Sequence, residues 1–146
     1  MGGASSVALG RIRKDEIGAV IDLEGTMMGE YAGFENGREI FNSEPYPVPL
    51  LDVNSKAVKE AASVKDGEYI NFYVGKNADC FREVIFNGAG HLNFTDLPLI
   101  SPILARLLGV GEVNARECIE NVNHVVLNWF DCYLKGKEPL DIKDEY

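Results

Sequence analysis

The chain has 146 residues, 46% hydrophobic and 25% charged, proportions that suit one globular domain around one core. Its 14 Lys and Arg stand against 23 Asp and Glu, a net charge of -9, so no basic stripe exists to neutralise nucleic-acid phosphates, and anionic membranes are disfavoured. No run of about 18 apolar residues reads as membrane-spanning, and the three scattered cysteines, Cys80, Cys118 and Cys132, read as reduced, packed thiols without metal-type pairing.

Met1–Arg11 opens with small residues and continues as a helix of modest length. Two glycines at a helix start let another backbone or a ligand come close; a flexible tail is the competing explanation. No charged-then-apolar leader opens the chain, which favours the cytoplasm while leaving open a signal peptide on a longer native chain.

Ile17–Leu23 is a continuous apolar run. Unbroken hydrophobicity implies burial on both faces, as in a parallel sheet. Asp22 and Glu24 lie at its C-terminal end, where a buried charge needs a partner. Met27–Glu44 is polar and glycine-rich and reads as a long loop, a candidate lid or binding loop. Prolines then lead into a second strand, Leu50–Ser55. Ser55 caps a helix over Lys56–Val64, which Asp66-Gly67 ends. Glu68–Val74 reads as a short helix or as a strand, since Tyr69, Ile70, Phe72, Tyr73 and Val74 suit either.

The short apolar run Val84-Ile85-Phe86 reads as a third strand, stopped by Asn87-Gly88. Gly88 and Gly90 bracket Ala89 and bend the backbone, so His91 stands on a tight loop at a strand's C-terminal end. Open α/β sheets place their working residues there. The alternative is a polar loop histidine that caps the next turn. Leu97–Leu108 is strongly apolar, with Pro98 and Pro102 near its start, and reads as a helix packed on the core; an apolar wall for an acyl chain or lipid is the second reading. Asn114 caps a long helix, Ala115–Lys135, with Cys118, Val122, Val125, Val126 and Trp129 at helical spacing and Gly136 at its end. His124 in that helix reads as surface polar or as packing, and the acidic tail Lys137–Tyr146 as frayed. Strands alternating with helices give an α/β class with about three parallel strands.

The stretch Phe86-Asn87-Gly88-Ala89-Gly90-His91-Leu92-Asn93-Phe94-Thr95-Asp96 resembles the histidine loop of α/β-hydrolases, closest to platelet-activating-factor acetylhydrolase and dienelactone-hydrolase-like esterases. Met1-Gly2-Gly3-Ala4 resembles the last four positions of that family's nucleophile elbow, Gly-His-Ser-x-Gly-Gly-Ala, with the serine immediately before Met1. The resemblance runs from Met1 to about Lys137. It implies a partial α/β-hydrolase fold: residues 1–146 as the C-terminal part of one domain, with the N-terminal half of the sheet missing.

Through the same resemblance, His91 becomes the triad histidine. Leu23-Glu24-Gly25-Thr26-Met27 matches the family's acid stretch, with Glu24 in the acid's place, where the subgroup uses aspartate. Asp22 and Asp52 remain rival acids. The backbone of Met1 would stand on the oxyanion side. The implied function is that of a serine-type carboxylic-ester or acyl hydrolase fragment, acting on a small ester or acyl substrate without cofactor or metal. The fragment is expected to be inactive alone because its nucleophile is absent; Ser5 and Ser6 follow the elbow and cannot replace it. A non-catalytic association or binding domain is the alternative. Loss of the neighbouring strand would leave Ile17–Leu23 as an open edge, so a homo-oligomer, or pairing with the missing N-terminal half, is expected.

Overall fold

The computed structural model describes residues 2–64 and 68–146. In chain order it contains α1 (Gly2–Ile12), β1 (Val20–Leu23), β2 (Tyr31–Glu35), β3 (Arg38–Phe41), β4 (Leu50–Ser55) and α2 (Lys56–Ser63). Then come α3 (Ile70–Lys76), β5 (Phe81–Phe86), α4 (Leu97–Ile100), α5 (Pro102–Leu107) and α6 (Ala115–Lys135). The Asp66-Gly67 helix stop and the Met1 backbone lie outside the described residues.

The class is α/β, with one parallel sheet in the order β1-β4-β5. β4 is central and all six of its residues are buried, which explains its unbroken apolar start. It pairs Leu50 with Val20 and Val53 with Leu23 on one side, and Leu50 with Phe81 and Ser55 with Phe86 on the other. Successive β4 side chains point to opposite faces. Leu51 and Val53 join Val84, Phe86, Val122, Val125 and Trp129 beneath α6. Leu50 joins Val7, Val20, Met27, Tyr46, Ile70 and Val74 beneath α1 and α3. The result is three layers, helix, sheet and helix.

The expected strand Ile17–Leu23 is ordered as a strand only over Val20–Leu23. Glu68–Val74 resolves as helix, α3, because its apolar Ile70 and Val74 are four apart and both turn into the core. The long helix has the expected bounds: the Asn114 side chain accepts from the backbone N–H of Arg116 and Glu117, and Gly136 takes φ +65°. Leu97–Leu108 is not one helix. It breaks at Ser101 into α4 and α5, because the residue before Pro102 is steered away from helical backbone; Ser101 has φ -141° and ψ 80°. Of the cysteines, Cys118 is buried and Cys80 and Cys132 are half-buried, all three free. Burial pushes the Cys118 thiol up to about 11.

Two further expectations are corrected. Met27–Glu44 is not a structureless loop: β2 and β3 form an antiparallel hairpin across Asn36-Gly37, both at positive φ. That dipeptide is the strongest short-range hairpin signal. The tail is not frayed either. It lies alongside β5, where Ile85 N–H donates to Asp144 O at 2.8 Å and Tyr146 N–H to Ile85 O at 2.9 Å. Tyr146 stacks on Phe86 at 5.1 Å, Arg82 pairs with Asp144 at 2.7 Å, and Ile142 is buried. His124 holds the same segment from α6, donating from Nε2 to Asp141 O at 2.8 Å.

Among the described residues, no helix is long and apolar enough to cross a membrane.

Candidate functional site

β1, β4 and β5 are parallel, so their C-terminal ends gather at one side of the sheet. Glu24 follows β1 directly, Ser55 ends β4, and the His91 loop follows β5. In a regular strand Glu24 would face the same way as Asp22. It does not, because Glu24 takes φ +53°. That left-handed backbone costs an L-residue roughly 1–2 kcal/mol, and it turns the side chain out of the strand's alternation.

The redirected carboxylate is buried, its side chain 1% exposed. Its Oε1 accepts from Ser55 N–H at 2.9 Å, and its Oε2 lies 2.9 Å from His91 Nδ1. The His91 ring is 69% exposed. With Nδ1 bonded to a carboxylate, the neutral ring carries its proton on Nδ1, and the Nε2 lone pair is left to take a proton from a neighbouring group. The protein therefore brings together a buried acid and an exposed base in one fixed orientation.

His91 opens a 3-10 turn, His91–Phe94, which Asn93 anchors. The buried Asn93 amide accepts at Oδ1 from Gly90 N–H at 2.9 Å and from Gly111 N–H at 2.8 Å. The two loops touch backbone to backbone: a Cβ on Gly111 would sit 2.1 Å from Gly88 O. Sequence reading missed Asn93; the available signal was an Asn three residues after Gly90, the spacing at which an amide can close a turn on a backbone N–H. Asn93→Ala strands two half-buried donors, and is expected to cost roughly 1–3 kcal/mol of stability. Amide exchange at Gly90 and Gly111 should accelerate beyond what the global loss explains. Protection falling evenly across the chain would show that Asn93 does not hold this loop specifically.

The rival acids stand elsewhere. Asp22 and Asp52 are neighbours in register on β1 and β4, both buried on the α1–α3 face. Asp22 Oδ1 accepts from Gly25 N–H at 2.9 Å, while among the described residues its Oδ2 has no hydrogen-bond partner. Gly3 explains the glycine-rich helix start: a Cβ there would fall 1.6 Å from Asp22 Oδ1. The close approach serves this carboxylate. Asp52 faces Asn71, whose Nδ2 lies 3.3 Å from Asp52 Oδ2 and also donates to Gly25 O at 2.9 Å. Burial, and then the adjacent Asp22 charge, push the Asp52 carboxyl up to about 8. Burial likewise raises Asp22, against the opposing bond from Gly25. A carboxyl that holds its proton at neutral pH is poorly suited to stabilising an imidazolium. Asn71, which organises this pair and also accepts from Met27 N–H at 3.1 Å, was not singled out from sequence.

Among the described residues, no group of His, Cys, Asp and Glu could hold a metal ion. No protein-family model, curated protein or solved structure matches the chain.

Proposed function

We propose that this chain supplies the histidine and the acid of a serine-type ester or acyl hydrolase of the α/β-hydrolase kind. The observation that carries the reading is the 2.9 Å contact between His91 Nδ1 and the buried Glu24 carboxylate. His91 acts as general base through Nε2, taking the proton of a serine hydroxyl as that oxygen attacks the ester carbonyl. The resulting imidazolium is stabilised by Glu24 and returns the proton to the leaving alcohol. Water then releases the acyl group by the same sequence of proton transfers. Glu24 holds the ring by one oxygen while Ser55 N–H holds the other, so rotation of the carboxylate costs a hydrogen bond at either end.

In this reading the serine and the oxyanion donors are contributed by residues outside those described. By the resemblance, the serine would stand just before Met1, close to the start of α1. Gly3, at the start of α1, is next to the acid side of the dyad, since a Cβ on it would lie 3.3 Å from Gly25 Cα, one residue beyond Glu24. A polypeptide carrying the preceding half of the sheet would pair along the outer edge of β1; association of two copies through that edge is the competing arrangement. Both would pair the backbone groups on the side of β1 that faces away from β4.

The experiment is ring-nitrogen NMR on the chain as it is. Wild type should show His91 in its Nδ1-protonated neutral tautomer, and Glu24→Gln should shift it towards the Nε2-protonated form that free imidazoles prefer. Asp22→Asn should leave the tautomer unchanged. A His91 tautomer indifferent to Glu24→Gln would sink the proposal.

A further inference from the structure

We infer that the groove between the β2–β3 hairpin and α3 binds the aromatic portion of a neutral ester of an aromatic acid. The word ester rests on the proposed hydrolase reading; the aromatic preference does not. The groove encloses about 1060 Å³ and includes Thr26, Tyr31, Phe34, Phe41, Tyr69 and Tyr73 in its walls.

The hairpin has the wrong exposure for a purely structural element. All five residues of β2 are exposed, and so are the first three of β3. A lone two-stranded hairpin is marginal in water. This one nevertheless carries Phe34 at 71% exposure, with Tyr31 and Ile40 at 39% each. It is anchored at its base, where Phe41 packs on Tyr73 at 5.0 Å and on Tyr31 at 5.4 Å. The rings meet tilted or edge-on, at 52° and 62°, so no face-to-face stack closes the cluster on itself.

The groove also reaches the dyad's acid side. Thr26 stands two residues beyond Glu24, and its Oγ1 lies 3.4 Å from the Tyr69 hydroxyl. Burial raises the Tyr69 phenol against the opposing bond from Thr26, and the charges of Asp52, Asp22 and Glu24 raise it further. A ring lodged in the groove would set an attached ester group near the start of α1, where the proposed nucleophile belongs. The charged side chains of the walls are Arg38, Glu39 and Glu68; Glu68 is paired with Lys76, which leaves one cation against one carboxylate. A neutral ligand fits that balance.

The test is NMR titration of the chain with two stable neutral esters, methyl 1-naphthoate and methyl nonanoate. The naphthoate should shift Thr26, Tyr31, Tyr69 and Tyr73 and bind at least about tenfold more tightly than the nonanoate. Phe34→Ala, a change at an exposed ring that leaves the fold intact, should weaken naphthoate binding about fivefold or more. Equal affinity for the two esters, shifts gathered on Leu99–Leu108, or an unaltered affinity in Phe34→Ala would each overturn the inference. The His91 tautomer separates the two readings. Naphthoate binding with a tautomer indifferent to Glu24→Gln removes the hydrolase and keeps the aromatic groove. The expected tautomer without naphthoate binding removes the groove alone.

Discussion

Asp52→Asn should make the protein more stable, and the gain should grow with pH. In the folded protein, burial and the register neighbour Asp22 raise the Asp52 carboxyl to about 8, against an ordinary value of 3.8. The unfolded chain releases this proton near 3.8 and gains the solvation of a free carboxylate, while the folded chain keeps the proton. Between those two values the unfolded state binds fewer protons, so stability falls as pH rises from about 4 to about 8, and levels off above. Asparagine keeps an oxygen for Asn71 Nδ2 and has no proton to lose. Denaturant unfolding should show little change near pH 4 and a gain of roughly 2–4 kcal/mol near pH 8. An equal gain at both pH values would mean that packing, not ionisation, accounts for the effect.

The second large effect is expected at Arg11. Its guanidinium grips Glu30 in bidentate fashion, with Nε 2.8 Å from Oε1 and Nη2 2.7 Å from Oε2. It also donates to Glu44 O at 3.0 Å. The Glu30 side chain is only 1% exposed, so it depends on this partner. Arg11→Met leaves a buried, unpaired carboxylate and should cost about 3–5 kcal/mol. Replacing both residues, Arg11→Met with Glu30→Leu, should recover most of that loss, because the charge needing a partner is gone as well. The paired measurement separates an unpaired charge from lost packing: a double variant as unstable as Arg11→Met would assign the cost to packing. Since Glu30 O also accepts from Asn42 N–H at 2.8 Å, the single variant should loosen the base of the hairpin, visible as faster amide exchange at Asn42.

Local chemistry made part of this fold readable. The long helix declared itself through Asn114, its apolar stripe and Gly136, because caps and periodicity are short-range signals. β4 was readable because a central parallel strand is buried on both sides. The hairpin was missed although Asn36-Gly37 announced it: its strands are exposed on both faces, so no alternation of apolar and polar residues accompanied the turn. The tail was misread for a different reason. Its acidic composition hides Ile142 and Tyr146, and pairing with β5 is a contact across some sixty residues with no local signature. At the site, the histidine loop and the acid stretch pointed to His91 and Glu24. What separated Glu24 from Asp22 was a single positive φ, which residue identity does not reveal.

The docked tail also bears on stoichiometry. Pairing between Ile85 and the segment ending at Tyr146 occupies the C-terminal end of the side of β5 that faces away from β4, while among the described residues β1 has a strand neighbour only on its β4 side. Strand addition can then proceed from one flank alone. A sheet open on both flanks can add copies indefinitely and grow into a fibre; a sheet with one flank closed can accept a single partner and must then stop. Assemblies built through strand pairing should therefore be pairs, whether of two copies or of this chain with a complementary one. Replacing Tyr146 and Ile142, which hold the closing segment in place, is the change that would turn a self-limiting contact into an open-ended one.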